Sequence, residues 1–167
     1  MRVRYIPASI TLVLFFQFVN GPVIAARDNS TLLYKQGEAL ALQGKIPEAI
    51  GIFKKVTEIS PYYALGHYGL GKAYLHLQGK RDDAVKELRK AAELDPGLAK
   101  VQFYLGMAYF FSDKLMPAVH AFAEAYRIDP SMIEALYNLG ALYDIMDQPY
   151  HSNAWFERYR AARERLQ

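Results

Sequence analysis

Leu70-Gly71-Lys72-Ala73-Tyr74 reappears as Leu105-Gly106-Met107-Ala108-Tyr109 and again as Leu139-Gly140-Ala141-Leu142-Tyr143. A degenerate copy, Gln36-Gly37-Glu38-Ala39-Leu40, comes before them, so Gly37, Gly71, Gly106 and Gly140 fall at spacings of 34, 35 and 34 residues. Self-similarity at this period is the mark of a solenoid, whose units bury their apolar faces only against one another. Working outward, each glycine is followed by a second pair of residues: Ala49 with Phe53, Ala84 with Leu88, Ala118 with Phe122, and Ser152 with Phe156. The members of each pair stand four apart and therefore share one helix face. Ser60-Pro61, Asp95-Pro96 and Asp129-Pro130 close the first three copies.

Each copy reads as two amphipathic helices around a turn, at Gln43-Gly44-Lys45, Gln78-Gly79-Lys80-Arg81, Ser112-Asp113-Lys114 and Met146-Asp147-Gln148. Pro47, Pro117 and Pro149 open second helices, where a missing N–H costs nothing. Asp82, Asp83 and Asp113 read as helix openers, placed at the positive end of the dipole. The pattern predicts helices over 31–43, 47–59, 62–78, 82–94, 97–111, 115–128, 131–145 and 149–165. One extra residue between Gly71 and Ala84 should enlarge the second turn without altering the stacking. Gly and Ala are needed where the two helices of a pair approach closely, and Tyr and Phe fill the space they leave. The last helix has to act as a cap, with Glu157, Arg158, Arg160, Arg163, Glu164 and Arg165 on a solvated face.

Over residues 30 to 165 the sequence resembles the tetratricopeptide repeat family, through the Leu-Gly-x2-Tyr, Ala-x3-Phe and terminal Pro positions. The family's Trp slot holds Leu33, His67, Gln102 and Leu136 instead. The resemblance implies an all-α, right-handed superhelical solenoid of four antiparallel helix pairs. It also implies a concave groove, lined by the first helix of each pair, that grips an extended peptide or a helix. One version of the family clamps a peptide's C-terminal carboxylate with Lys, Asn and Arg. Asn138 fills one such slot here, but Phe103 and Tyr104 stand where basic residues would be needed, which disfavours that clamp.

An aromatic stands three residues before every repeat glycine: Tyr34, Tyr68, Phe103 and Tyr137. With Lys35, Lys72, Tyr104, Met107, Phe110 and Asn138, and with Leu75 and Phe111 nearby, these are the candidate groove residues. The ladder admits two roles, packing between repeats or rigid amphipathic anchors for a partner. The groove suits an apolar segment bearing occasional acidic groups.

Other chemistries find little support. The histidines, His67, His76, His120 and His151, show neither metal-ligand spacing nor a nucleophile to pair with, and the glycines are spread through helices rather than gathered in a phosphate loop. No catalytic residue, metal or cofactor is expected. A hydrophobic fraction of 52% supports a packed core, and a formal charge of +3 is too small to argue for a nucleic-acid partner.

At the N-terminus, Arg2 and Arg4 precede an apolar stretch from Ile10 to Val19, then Asn20-Gly21-Pro22 and the small residues Ala25 and Ala26. This reads as a secretory signal over residues 1–26, cleaved after Ala25 or Ala26, followed by a repeat domain over 27–167. An uncleaved anchor is the competing reading, and only that would bring a membrane into contact. Cleavage would leave 18 basic and 17 acidic residues. The absence of cysteine removes disulfides and thiolate metal sites. Asn29-Ser30-Thr31, formally a glycosylation sequon, reads as a helix N-cap. The expected function is an extracytoplasmic scaffold, periplasmic or secreted, that binds a protein or peptide segment. The alternative is an accessory protein using the same aromatics to hold a small ligand or glycan.

Overall fold

The computed structural model describes residues 29–165, so the expected signal segment and its cleavage site lie outside the described residues. Eight helices follow one another: α1 (29–42), α2 (Ile46–Ile59), α3 (Ala64–Tyr74), α4 (Arg81–Leu94), α5 (Ala99–Phe111), α6 (Leu115–Ile128), α7 (Glu134–Ile145) and α8 (Pro149–Glu164). Among the described residues there is no strand, and no helix is long and apolar enough to cross a membrane. Packing runs from each helix to its neighbours in the chain, α2 on α3, α3 on α4 and onward to α7 on α8. This is the arrangement that a repeat with only nearest-neighbour burial demands.

The glycine period has a direct steric cause. A Cβ placed on Gly37 would lie 2.6 Å from the Phe53 ring, on Gly71 2.7 Å from Leu88, on Gly106 2.9 Å from Phe122 and on Gly140 2.8 Å from Phe156. In every copy, then, the glycine of the first helix receives the bulky residue of the second, and the residue four before that bulky one is small and buried. Phe53 is also met by the next repeat, since a Cβ on Gly69 would come within 2.5 Å of it. One ring thus fills two clefts, and Phe53 and Phe122 are each 2% exposed.

Turn chemistry explains the boundaries. Between the helices of each pair one residue adopts the left-handed conformation: Gly44 (φ 75°), Gly79 (φ 74°), Asp113 (φ 58°) and Asp147 (φ 54°). Asp113 therefore does not open α6, as the sequence reading had it; it turns the chain, a role Asp tolerates better than most residues. Between pairs, Asp95 and Asp129 each accept the backbone N–H two residues on, from Gly97 at 3.1 Å and Ser131 at 2.9 Å. The intervening proline presets the turn. Nothing lies within 4 Å of a Cβ on Gly79, so Gly79→Ala carries a purely conformational penalty, about 1 kcal/mol. Gly79→Asp is expected to cost less, because the later repeats hold Asp in that conformation. Urea denaturation of both variants measures the order.

Two other boundaries depart from expectation. α3 ends at Tyr74 rather than near residue 78, and the inserted residue is absorbed by a longer turn through Lys80, in which His76 and Leu77 bond back three residues. Stacking is unaffected: α3 still packs on both α2 and α4. Residue 29 is already helical, and the Ser30 hydroxyl is buried against that of Ser60 at 2.7 Å. Ser30 ties α1 to the turn before α3 instead of capping its own helix.

At the last helix the pattern changes. Val56, Ala91 and Ala125 are fully buried beneath the helix that follows each, but the fourth copy has Tyr159 in that register. Its ring rests 5.5 Å from that of Tyr137, and Ser152 is the one buried residue of α8. The charged residues named above are all exposed, and Arg158 lies over Trp155 at 4.5 Å.

Candidate binding groove

α1, α3, α5 and α7 are the first helices of the pairs, and a pocket of about 420 Å³ opens between α1 and α3. Its walls are Tyr34, Ala41 and Leu42 on one side and Tyr68, Gly69 and Ala73 on the other, with Phe53 at the back. Glu38, Lys72 and His76 supply the polar rim. At Gly69 the Phe53 ring comes through to the groove side, since a Cβ there would lie 2.5 Å from it; the same register position holds Lys35, Tyr104 and Asn138 in the other copies.

The expected groove residues divide by burial. Tyr34 and Tyr68 are each only 5% exposed. Tyr34 packs on Phe53 at 5.7 Å and Tyr63 at 6.1 Å and donates its hydroxyl to Glu38 at 2.8 Å; Tyr68 packs on Tyr104 at 5.6 Å. Burial pushes both phenols well above their ordinary pKa, and the Glu38 contact adds to this for Tyr34. Phe103 is half-buried on Phe122 at 5.3 Å, and Met107 and Tyr104 are half-buried beside the core. Asn138 spends its amide on the Glu134 carbonyl at 2.9 Å. Phe110 is 38% exposed and stacks on Phe111, Tyr137 is 52% exposed, and Lys35 is exposed. The aromatic ladder is therefore mostly packing, and only its fourth member presents a large free surface.

Of a second ladder, sequence reasoning picked out only Phe111. Five residues after each repeat glycine stand Leu42, His76, Phe111 and Ile145, all exposed, with Leu42 at 89% and Ile145 at 57%. The spacing of 34, 35 and 34 carried that signal.

Two lysines complete the face. The Lys72 amine lies 5.0 Å from the Tyr104 ring centre and 5.9 Å from that of Tyr68, while the Lys100 amine lies 5.2 Å from Tyr68. Among the described residues neither forms an ion pair. A roomier hollow of about 650 Å³ on the second-helix side is different in kind. Its charges are largely spent on one another, Lys114 with Asp82 at 3.4 Å, Lys90 with Glu93 at 3.8 Å and His67 with Glu87 at 2.7 Å.

His67 fills the Trp slot of its repeat and uses both ring nitrogens, Nδ1 to Glu87 and Nε2 to the Pro61 carbonyl at 3.0 Å. Both partners are acceptors, so the imidazolium is the form that satisfies them together. The Glu87 hydrogen bond raises the His67 pKa, with burial and Lys90 opposing and the Pro61 carbonyl assisting. A folded pKa above the unfolded one means the stabilisation is complete below about pH 6.5 and is lost as pH rises through the folded value. Stability of the full chain is expected to fall by on the order of 1 kcal/mol on that rise, and His67→Gln to flatten this component. Melting curves between pH 5.5 and 8.5 measure it. Among the described residues, no cluster of His, Asp and Glu has the makings of a metal site.

Comparison with known proteins agrees with this architecture. A family model described as TPR repeat matches residues 37–78, and one described as Tetratricopeptide repeat matches residues 64–98. A crystal structure of MamA protein is 27% identical, with a TM-score of 0.73 over 81% of this chain and 73% of that one. MamA 41-end from Desulfovibrio magneticus RS-1 is 23% identical, with a TM-score of 0.75 over 94% and 93%. The first TPR of Spaghetti (RPAP3), solved bound to the HSP90 peptide SRMEEVD, is 24% identical, with a TM-score of 0.68 over 71% and 93%. No curated protein matches the sequence. Residues 29–165 therefore form an all-α, right-handed superhelical solenoid of four antiparallel, TPR-like helix pairs, of which the tetratricopeptide repeat models match residues 37–98.

Proposed function

We propose that this protein is an extracytoplasmic scaffold that holds a segment of another protein in the groove formed by α1, α3, α5 and α7. The observation carrying the reading is the distribution of exposed apolar surface. Leu32, Leu42, Phe110, Phe111, Tyr137 and Ile145, six of the ten exposed large apolar side chains among the described residues, belong to first helices, whereas Ile59, Tyr62, Met116 and Tyr150 are scattered over the rest. Exposed apolar side chains gathered on one face mark an interaction surface. A solved relative of the same fold, bound to the HSP90 peptide, supports a segment of polypeptide as the occupant. Export rests on Arg2 and Arg4 before the Ile10 to Val19 stretch, and N-terminal sequencing of the exported protein is expected to return Ala26 or Arg27. An intact Met1 would contradict that.

The groove is tested by a photo-crosslinking residue placed at Leu42 or Ile145 in cells, with Lys54 and Arg89 on second helices as controls. The reading expects one protein to be captured from the first-helix positions and not from the controls. Equal capture from both faces, or capture from the controls alone, would refute it. A small-molecule ligand would instead survive purification in the pocket between α1 and α3 and appear in the native mass spectrum.

A further inference from the structure

Building on the proposed groove, we infer that it reads a two-part chemical pattern: an apolar side chain seated between α1 and α3, and a side-chain carboxylate a few residues away, seated at Lys72 and Lys100. The first half follows from the pocket walls. Phe53 fills the cleft at Gly69, and the recess between α1 and α3 that this ring backs is walled by alanines and tyrosines, a polarity that fits an aliphatic or aromatic side chain. Leu42, at 89% exposure, overhangs this recess, and an occupant that covers it removes that apolar surface from water.

The second half follows from charge. Lys72 and Lys100 flank the Tyr68 and Tyr104 rings from two helices, are held in place by those rings and have no carboxylate partner among the described residues. Lys80, Lys90, Lys114, Arg127 and Arg160, by contrast, are already paired with carboxylates of this chain. Glu38, the carboxylate in the pocket, is engaged by the Tyr34 hydroxyl. A carboxylate brought by a partner would complete the set, whereas an ammonium would face two like charges, and that asymmetry is what confers specificity. The two lysines lie spread across an aromatic pair on two helices, and Phe103 and Tyr104 stand where a clamp for a chain terminus would need further basic residues. This points to an internal Asp or Glu. Neighbouring helices stand about 8–10 Å apart, which extended chain spans in about three residues.

The probe is a set of acetylated, C-terminally amidated peptides carrying one Leu or Phe and one Glu at separations of two, three and four residues, titrated against the full-length protein by fluorescence anisotropy. Replacing Glu by Gln is expected to weaken binding about fivefold, and replacing it by Lys more than that. Lys100→Glu should reverse the order so that the Lys peptide binds better, a reversal that no loss of folding produces. Ala41→Phe, which fills the recess, and Leu42→Asp, fully exposed and so neutral to folding, should each abolish binding. Equal affinity for the Glu and Gln peptides, with Leu42→Asp still blocking both, would overturn the carboxylate subsite and leave the groove reading standing. Binding only by peptides with a free C-terminal carboxylate would also overturn it. Peptide binding indifferent to Ala41→Phe and Leu42→Asp would overturn the recess as well. Failure of the Leu42 crosslink in cells would remove the groove itself.

Discussion

Phe122→Ala is expected to destabilise the protein by about 3–5 kcal/mol, close to the whole stability of a small domain. The ring is 2% exposed, lies under Gly106 and packs on Phe103 at 5.3 Å, so little of its surroundings is free to collapse into the space it leaves. The loss has two parts, the transfer of the ring to water and the cavity that remains. A repeat array also transmits the damage, because α5, α6 and α7 are stabilised only by contact with their neighbours. Urea denaturation followed by helicity is the measurement, and a midpoint within error of the parent would show that the packing around Phe122 is wrongly assigned.

Gly106→Leu attacks the same contact from the opposite side. Even a Cβ at this position would stand 2.9 Å from the Phe122 ring, and leucine adds three further carbons to a closed space, so a loss of about 1–3 kcal/mol or more is expected. The informative variant is the double one. In Gly106→Leu with Phe122→Ala, the new side chain enters the volume the ring vacates, and the pair should be at least about 1 kcal/mol more stable than the sum of the single losses implies. Strict additivity would mean that the two residues do not share a cleft. Gly140 with Phe156 offers a milder version, because Phe156 is only half-buried at the end of the stack.

These contacts were legible in the sequence because they rest on side-chain size at fixed spacing. A glycine in one helix and a bulky residue in the next recur in phase, and both halves of the contact are within one repeat. Contacts between residues of no recurring type were hidden. His67 sits in the Trp slot, and its bonds to Glu87, twenty residues on, and to the Pro61 carbonyl have no counterpart in other repeats. The early end of α3 was likewise hidden, since an inserted residue shows in the count but not in where the helix yields to the turn.

The groove was half legible. The aromatics before each glycine marked the correct helices, but their exposure depends on what the following repeat places over them. α5 brings Tyr104 onto Tyr68, and Tyr63, just before α3, covers Tyr34, whereas Tyr137 meets the rings of Phe156 and Tyr159 from its own pair and stays half open. Periodicity identifies a face without saying how deep it lies. The ladder of Leu42, His76, Phe111 and Ile145, which the same periodicity contains, lies further toward the turns and remains exposed.

The central claim is that the first-helix groove, and not the second-helix surface, holds the partner. Its most direct test is the affinity of the crosslinked partner for the full-length Leu42→Asp, Ile145→Asp double variant, set beside a Lys54→Asp, Arg89→Asp variant of the opposite surface, with melting temperatures confirming that both are folded. The account expects the groove variant to bind roughly thirtyfold more weakly or worse, the loss of about 2 kcal/mol typical of a truncated anchor, and the other variant to bind like the parent. Unchanged affinity in the groove variant, with loss in the second-helix variant, would contradict it.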